Sequence, residues 1–382
     1  MQRIVRIRHA LLAGFGLGAL AVMGLVAFNT DIGLRLQGRV TVNSSAPSPS
    51  PSPLATSSAS PSAAPLDRVG APGPLAGATL VYDPENKGLL LFGGASTQTT
   101  ADGHTESVFP PGTWVWDGTS WRQRMVEGPP ARSSAVTAYD SIRHVVVLFG
   151  GAGVDAGDRP ILLDDTWTWD GAQWSQMTPV HVPPARYRAA MAFDQRRGVT
   201  VLYGGEGSTN TPYADTWTWN GEDWVEQSPA TSPSPRHYPA MAYDAERGNV
   251  VMFGGSAAGV RLNDTWIWNG ATWTKQSAPA PTAKGFGYAT WDSKSKEVVV
   301  YVYYAVDNHP VAEYTITWNG ARWTNRSSSG DPSPRADGAI AFNERTGQVV
   351  LYGGTFDQPQ PFAETWVWDG ASWSLWRAAE GA

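Results

Sequence analysis

Cysteine is absent from all 382 residues. Disulfides, thiolate nucleophiles and cysteine-ligated metals are thereby excluded. Charge is scarce too: 16% of residues are Asp, Glu, Lys or Arg, and the formal net charge is −6. Residues 1–65 hold five Arg and one Asp, which leaves −10 on residues 66–382. An acidic segment with no basic stripe argues against nucleic acid as a partner. Linear catalytic signatures are missing: there is no Gly-x-Ser-x-Gly, no His-Glu-x-x-His and no phosphate loop. No cofactor or metal is expected.

What the chain does have is a repeat. Trp-x-Trp, then Asp or Asn, then Gly, then a further Trp recurs in six copies, the second aromatic falling at Trp116, Trp169, Trp219, Trp268, Trp318 and Trp368. The steps are 53, 50, 49, 50 and 50 residues. A period of this size means an array of similar supersecondary units. Each unit carries four strand signals. The first ends in an aromatic and an acid or amide, as in Tyr82-Asp83 and Phe342-Asn343. The second is a continuous apolar run stopping at two glycines, as in Leu89 to Gly94, which reads as a strand buried on both faces. The third is Thr-Trp-x-Trp, whose two Trp share one face. Asp-Gly or Asn-Gly turns the chain into the fourth, which starts at the last Trp.

Four-stranded sheets this small cannot bury both faces alone, so neighbours must stack, and radial stacking leaves only short, protected edges. The expected fold is all-β: a six-bladed propeller over residues 66–377, with 378–382 a tail. Of the 19 Trp, 17 occupy repeat positions, so they are read as inter-blade packing. Trp291 replaces the Tyr or Phe of a first strand, and Trp376 is read as terminal packing.

The glycine pair, the later Trp and the segment Leu262-Asn263-Asp264-Thr265-Trp266 resemble the kelch repeat. A Pro-x-x-Arg lead-in also recurs, ending at Arg132, Arg186, Arg236 and Arg335. Two departures stand out. The tyrosine often found after the kelch glycine pair is not regular here. The fifth unit has Val302 and Tyr303 in place of the glycines, Ile316 in place of a Trp and Lys284 in place of the Arg. The resemblance implies a kelch-type propeller. Some members of that family are copper-radical sugar oxidases or a sialic-acid epimerase. The oxidase chemistry needs a Cys crosslinked to Tyr, which this chain cannot supply.

At the N-terminus, Arg3, Arg6 and Arg8 precede an uncharged apolar stretch from Ala10 to Phe28. As a helix it spans about 28 Å, close to a hydrocarbon core. Residues 1–28 are read as a transmembrane signal anchor with the propeller extracytoplasmic. The alternative is a signal peptide cleaved after Ala19-Leu20-Ala21 and a secreted product. Residues 29–65, rich in Ser, Pro and Ala, read as a disordered tether reaching on the order of 100 Å when extended.

Strand alternation sends the short links to one face and the links after the second and fourth strands to the other. The latter vary in length and polarity, and binding usually lives on such loops. The candidate binding residues there are Asp102, His104 and Glu106 in the first unit, Asp155, Asp158 and Arg159 in the second, Glu206 and Tyr213 in the third, Arg261 in the fourth, and Asp307 and His309 in the fifth. Asp155-x-x-Asp158 with Asp164 lacks the alternating acids of a calcium loop. The repeated Arg, and the acids Asp165, Asp215, Asp264 and Glu364 before Thr-Trp, read as structural, with pairing between the two series expected. The functional expectation is a surface-tethered module binding a protein or glycan ligand. A carbohydrate-active enzyme of epimerase or lyase type at the channel mouth, and a structural cell-envelope protein, are the alternatives.

Overall fold

The structure is a computed structural model that describes residues 5–7, 67–100, 103, 105–277, 283–306, 309–356 and 360–376. The apolar stretch Ala10–Phe28 and the Ser/Pro segment lie outside the described residues. Among the described residues no helix is long and apolar enough to cross a membrane. All regular structure there is β.

Six antiparallel sheets each have a four-stranded core built from one contiguous stretch of chain, and the first two carry extra strands. Their first strands, Ala76–Asp83, Val136–Asp140, Ala190–Asp194, Ala240–Asp244, Phe286–Asp292 and Ala336–Asn343, pack side by side, the sixth against the first. This is a six-bladed β-propeller. The first strands alternate small and large, as in Ala190-Met191-Ala192-Phe193, so a large side chain of one blade meets alanines of the next. That alternation fits blades that taper toward a common axis. Short ends blunt the outer edges; in blade 1, Arg68–Val69 adds a fifth, outermost strand on Trp121–Arg124.

Several expected loops are in fact strand extensions. In blade 2 the pair Val145–Val154 and Pro160–Trp169 runs past the glycines with a bulge between Phe149 and Gly151. Blade 5 does the same with Glu297–Val306 and His309–Trp318. In blade 1 the second strand continues to Thr99 and pairs with Thr105–Phe109, on whose other edge Val5–Ile7 lies antiparallel. Residues such as Val108-Phe109 and Ile161-Leu162-Leu163 are strand formers, and they keep the ladder going where polarity alone suggested a loop.

The repeat motifs are the fastenings of the ring. The Trp that opens each fourth strand donates its indole N–H to the Thr that opens the third strand of the preceding blade. The pairs are Trp174–Thr113 at 2.9 Å, Trp224–Thr166 at 2.9 Å, Trp273–Thr216 at 2.9 Å, Trp323–Thr265 at 2.8 Å, Trp373–Thr315 at 2.8 Å and Trp121–Thr365 at 3.0 Å. The circuit is complete, and its last member joins blade 1 to blade 6. Removing one acceptor strands a buried indole N–H, which costs about 1–3 kcal/mol. Thr216→Val, nearly isosteric, is therefore expected to lower the unfolding free energy by about that amount, read from the midpoint of a urea denaturation curve.

The Arg and acid series pair within blades. Arg186 donates from Nη1 and Nη2 to the Asp215 carboxylate at 2.7 and 2.6 Å, from Nε to the Pro184 carbonyl at 3.0 Å and from Nη1 to the Gly204 carbonyl at 2.9 Å. Arg132–Asp165, Arg236–Asp264 and Arg335–Glu364 repeat the arrangement, and all four guanidinium groups are fully buried. The Trp two residues after each acid completes it: Trp217 donates to Asp215 at 2.8 Å. In blade 5 it is Gly285, not Lys284, that takes the backbone place of the Arg, since Gly255 N–H donates to the Gly285 carbonyl as Gly205 N–H does to that of Arg236.

Candidate functional site

The first strands enclose an axial channel. Leu80, Thr137, Met191, Met241, Ala289 and Ile340, one from each blade, form its waist and line both a cavity of about 150 Å³ on the variable-loop side and one of about 450 Å³ on the short-turn side. The smaller cavity opens where the fourth-to-first links enter the first strands.

Backbone geometry brings four blades' side chains to that mouth. Two residues beyond each lead-in Arg the chain takes a left-handed conformation, with φ 54° at Ser134, 57° at Arg188, 53° at Tyr238 and 55° at Asp337. Blade 1 has Gly77 at the equivalent place, with φ 70°. The turn lets each N–H reach the preceding blade's carbonyl: Tyr238 to Arg188 at 2.8 Å, Arg188 to Ser134 at 3.2 Å, Ser134 to Gly77 at 2.7 Å. A side chain in this conformation is strained relative to glycine, and such strain clusters at functional sites. Ser134, Arg188, Tyr238 and Asp337 all line the cavity.

Arg188 is the centre of the cluster. It is buried, and its guanidinium lies 4.5 Å from the ring centroid of Tyr187 and 4.8 Å from that of Tyr238. Nη1 donates to Glu206 Oε2 and to the Tyr187 hydroxyl, both at 3.3 Å. His237 Nδ1 is 3.8 Å from Glu206 Oε1, and the His237 ring stacks on Phe286 with centroids 5.8 Å apart. Tyr238 donates its hydroxyl to Asp337 Oδ1. Tyr303, at a place where other blades have glycine, packs on Phe286 at 5.2 Å and stacks with Tyr288 at 6.3 Å. The divergence of the fifth unit is thus filled with aromatic rings at the mouth.

The electrostatics follow from burial. Desolvation pushes Tyr238, Tyr288 and Tyr303 well above the usual tyrosine range, with the Asp337 charge adding to it. Tyr187 is pushed up to about 12, mainly by burial, with Arg188 opposing. These hydroxyls therefore remain donors at neutral pH. Burial works against the Arg188 charge, but the surrounding tyrosines and the two acids outweigh it and raise its pKa. Burial also lowers His237, against the pull of Glu206, so its imidazole is neutral near pH 7.

The residues singled out from sequence distribute unevenly. Glu206 sits at the mouth, and Arg261 lies over the Phe286 ring at 5.2 Å. Tyr213 stacks on the structural Arg186 at 4.3 Å. Asp155 accepts from Arg159 Nε at 2.8 Å inside an exposed hairpin turn, where Asp158 takes φ 61°. That hydrogen bond holds the Asp155 carboxyl down to about 2. Glu106 is buried on the strand Thr105–Phe109. Asp102, His104 and Asp307 lie outside the described residues, and so does the side chain of His309, which opens a strand in blade 5. Arg188, His237, Tyr238 and Asp337 were not singled out. A signal for them exists: aligned on the lead-in Arg, the second following position reads Ser, Arg, Tyr and Asp, a variable column inside an otherwise constant motif.

Among the described residues no group of three or more His, Asp or Glu is placed to hold a metal ion. No protein-family model matches the chain, and no curated protein matches it in sequence.

Proposed function

We propose that this propeller, of kelch type, is a recognition module that takes a protein or glycan ligand on its variable-loop face, with the channel mouth as the specificity pocket. The carrying observation is that four blades hold Ser134, Arg188, Tyr238 and Asp337 in left-handed backbone around one cavity. Elsewhere the repeat uses its buried charges for fastening; here charged and hydroxyl-bearing residues line a cavity. The N-terminal apolar stretch and tether fit a display role outside a membrane. A single-pass topology makes the propeller removable from intact cells by added protease; a protease-resistant, cell-internal propeller with none in the medium contradicts that placement.

Binding is tested with the full chain on an array of glycans and purified surface proteins. Asp337→Ala is expected to weaken the captured ligand at least tenfold, whereas Asp155→Ala with Asp158→Ala, in the exposed turn, leaves it unchanged. Full retention in Asp337→Ala sinks the choice of pocket. The neutral His237 beside Glu206 and Arg188 is the one arrangement that favours the alternative, a sugar-modifying enzyme of epimerase or lyase type, and turnover of an arrayed sugar would replace the binding reading with it.

A further inference from the structure

The geometry points to the ligand class: we infer that the mouth cavity takes one neutral sugar residue of a glycan, held by Arg188 and Asp337. This rests on the recognition reading above and narrows it. Two features carry it, and each concerns what the cavity still lacks. Arg188 Nε is buried and has no hydrogen-bond partner among the described residues. It is a donor that wants an oxygen. Among the described residues Asp337 accepts from Tyr238 on Oδ1 and from no other side chain, and its half-buried carboxylate lines the same cavity. Its second oxygen wants a hydrogen-bond donor. The cavity therefore asks for a group that accepts at one point and donates at another.

Charge selects among such groups. An anion entering to satisfy Arg188 meets the Asp337 and Glu206 carboxylates, which already surround that guanidinium. A cation drawn to Asp337 meets Arg188, which stays charged at any working pH. Beside the buried charges of Arg188 and Glu206, either mismatch is costly. A hydroxyl both donates and accepts, so a neutral polyol satisfies both protein groups with no new charge. Size agrees. A cavity of about 150 Å³ holds several waters, room for a small polyol rather than a single ion. Tyr238 and Tyr288 in the wall are kept protonated by burial and add apolar ring surface.

The test uses the full chain in a detergent without a sugar headgroup. Methyl glycosides of neutral hexoses and N-acetylhexosamines are titrated calorimetrically, and an array compares neutral glycans with sialylated and uronic ones. The expected result is selective capture of neutral termini. Asp337→Asn keeps the shape and the Tyr238 contact but turns the free acceptor into a donor, and should weaken binding at least tenfold with the melting temperature unchanged. Arg188→Lys keeps the charge but loses the Nε donor, and should weaken binding to the same degree. Should Arg188→Lys fail to fold, Ser134→Asn narrows the cavity with a residue that tolerates left-handed backbone, and must also weaken binding. Preference for anionic sugars, or neutral binding indifferent to Asp337→Asn and Ser134→Asn, overturns the assignment while leaving a loop-face module standing. Capture of proteins alone, abolished by Asp337→Asn, overturns the ligand class only. No capture of any glycan or protein overturns the recognition reading itself, and this inference with it.

Discussion

Gly353→Ala is expected to destabilise the propeller by about 3–5 kcal/mol, combining backbone strain with overpacking at a seam that cannot give way. Gly353 has φ 64°, and a methyl group there would stand 2.4 Å from the carbonyl oxygen of Leu75. That carbonyl belongs to the first blade and accepts from Gly354 N–H at 2.8 Å, so the clash falls where the ring closes. Backbone on both sides leaves no flexible side chain to yield. Gly370→Ala is the internal control: φ is 104°, but nothing lies within 4 Å of the added carbon. It should cost only about 1–2 kcal/mol, the conformational part alone. Urea denaturation of the two variants measures the difference, and equal losses would refute the steric account.

Arg186→Leu should cost about 3–5 kcal/mol, the usual penalty for breaking a buried ion pair from one side. The substitution leaves Asp215 without its bidentate partner and strips the Pro184 and Gly204 carbonyls of theirs. Arg186→Lys is expected to recover little, because an ammonium cannot reproduce the fork that serves three acceptors at once. In the double variant Arg186→Leu with Asp215→Leu the loss should be smaller than that of Arg186→Leu alone, since no charge is left buried. Acid tells the same story in other blades. Burial by itself would raise the carboxyl groups of Asp165, Asp264 and Glu364, but hydrogen bonds and charge from their Arg partners, with the Trp indoles, hold them below the ordinary 3.8 for Asp and 4.5 for Glu. Depressed values in the folded state mean that this stability is complete above the unfolded carboxylate range. It is lost as pH falls below about 4, through the folded values. A denaturation midpoint that holds constant down to pH 2 would contradict the pairing.

The propeller was legible because its fastenings are written in repeating residue types. The Trp, Thr, Gly and Arg recur in register, and each has one structural partner in the next blade or its own. The Arg and acid series could be matched before any coordinates. Blade 5 was harder. Its lead-in slips by one residue, and only the backbone bond to Gly285 shows which residue stands in for the Arg. The mouth was barely legible, for a physical reason. Loop length and polarity directed attention to Asp155 and Arg159, which satisfy each other within one turn. The residues that converge are instead set by a left-handed φ, which leaves no mark on composition when the residue is Tyr or Arg. Glu206 and Arg261 were found because they follow glycine pairs; Tyr238 and Asp337, in blades 4 and 6, meet only in the folded ring.

The apolar waist also governs traffic. Six side chains, among them Leu80, Met191, Met241 and Ile340, each less than a tenth exposed, stand between the two axial cavities. Because they bound both cavities, a molecule seated at the mouth is expected to leave by the opening it entered. Dwell time is then set by the loops around one orifice, and affinity can be lengthened or shortened there without touching the floor of the pocket.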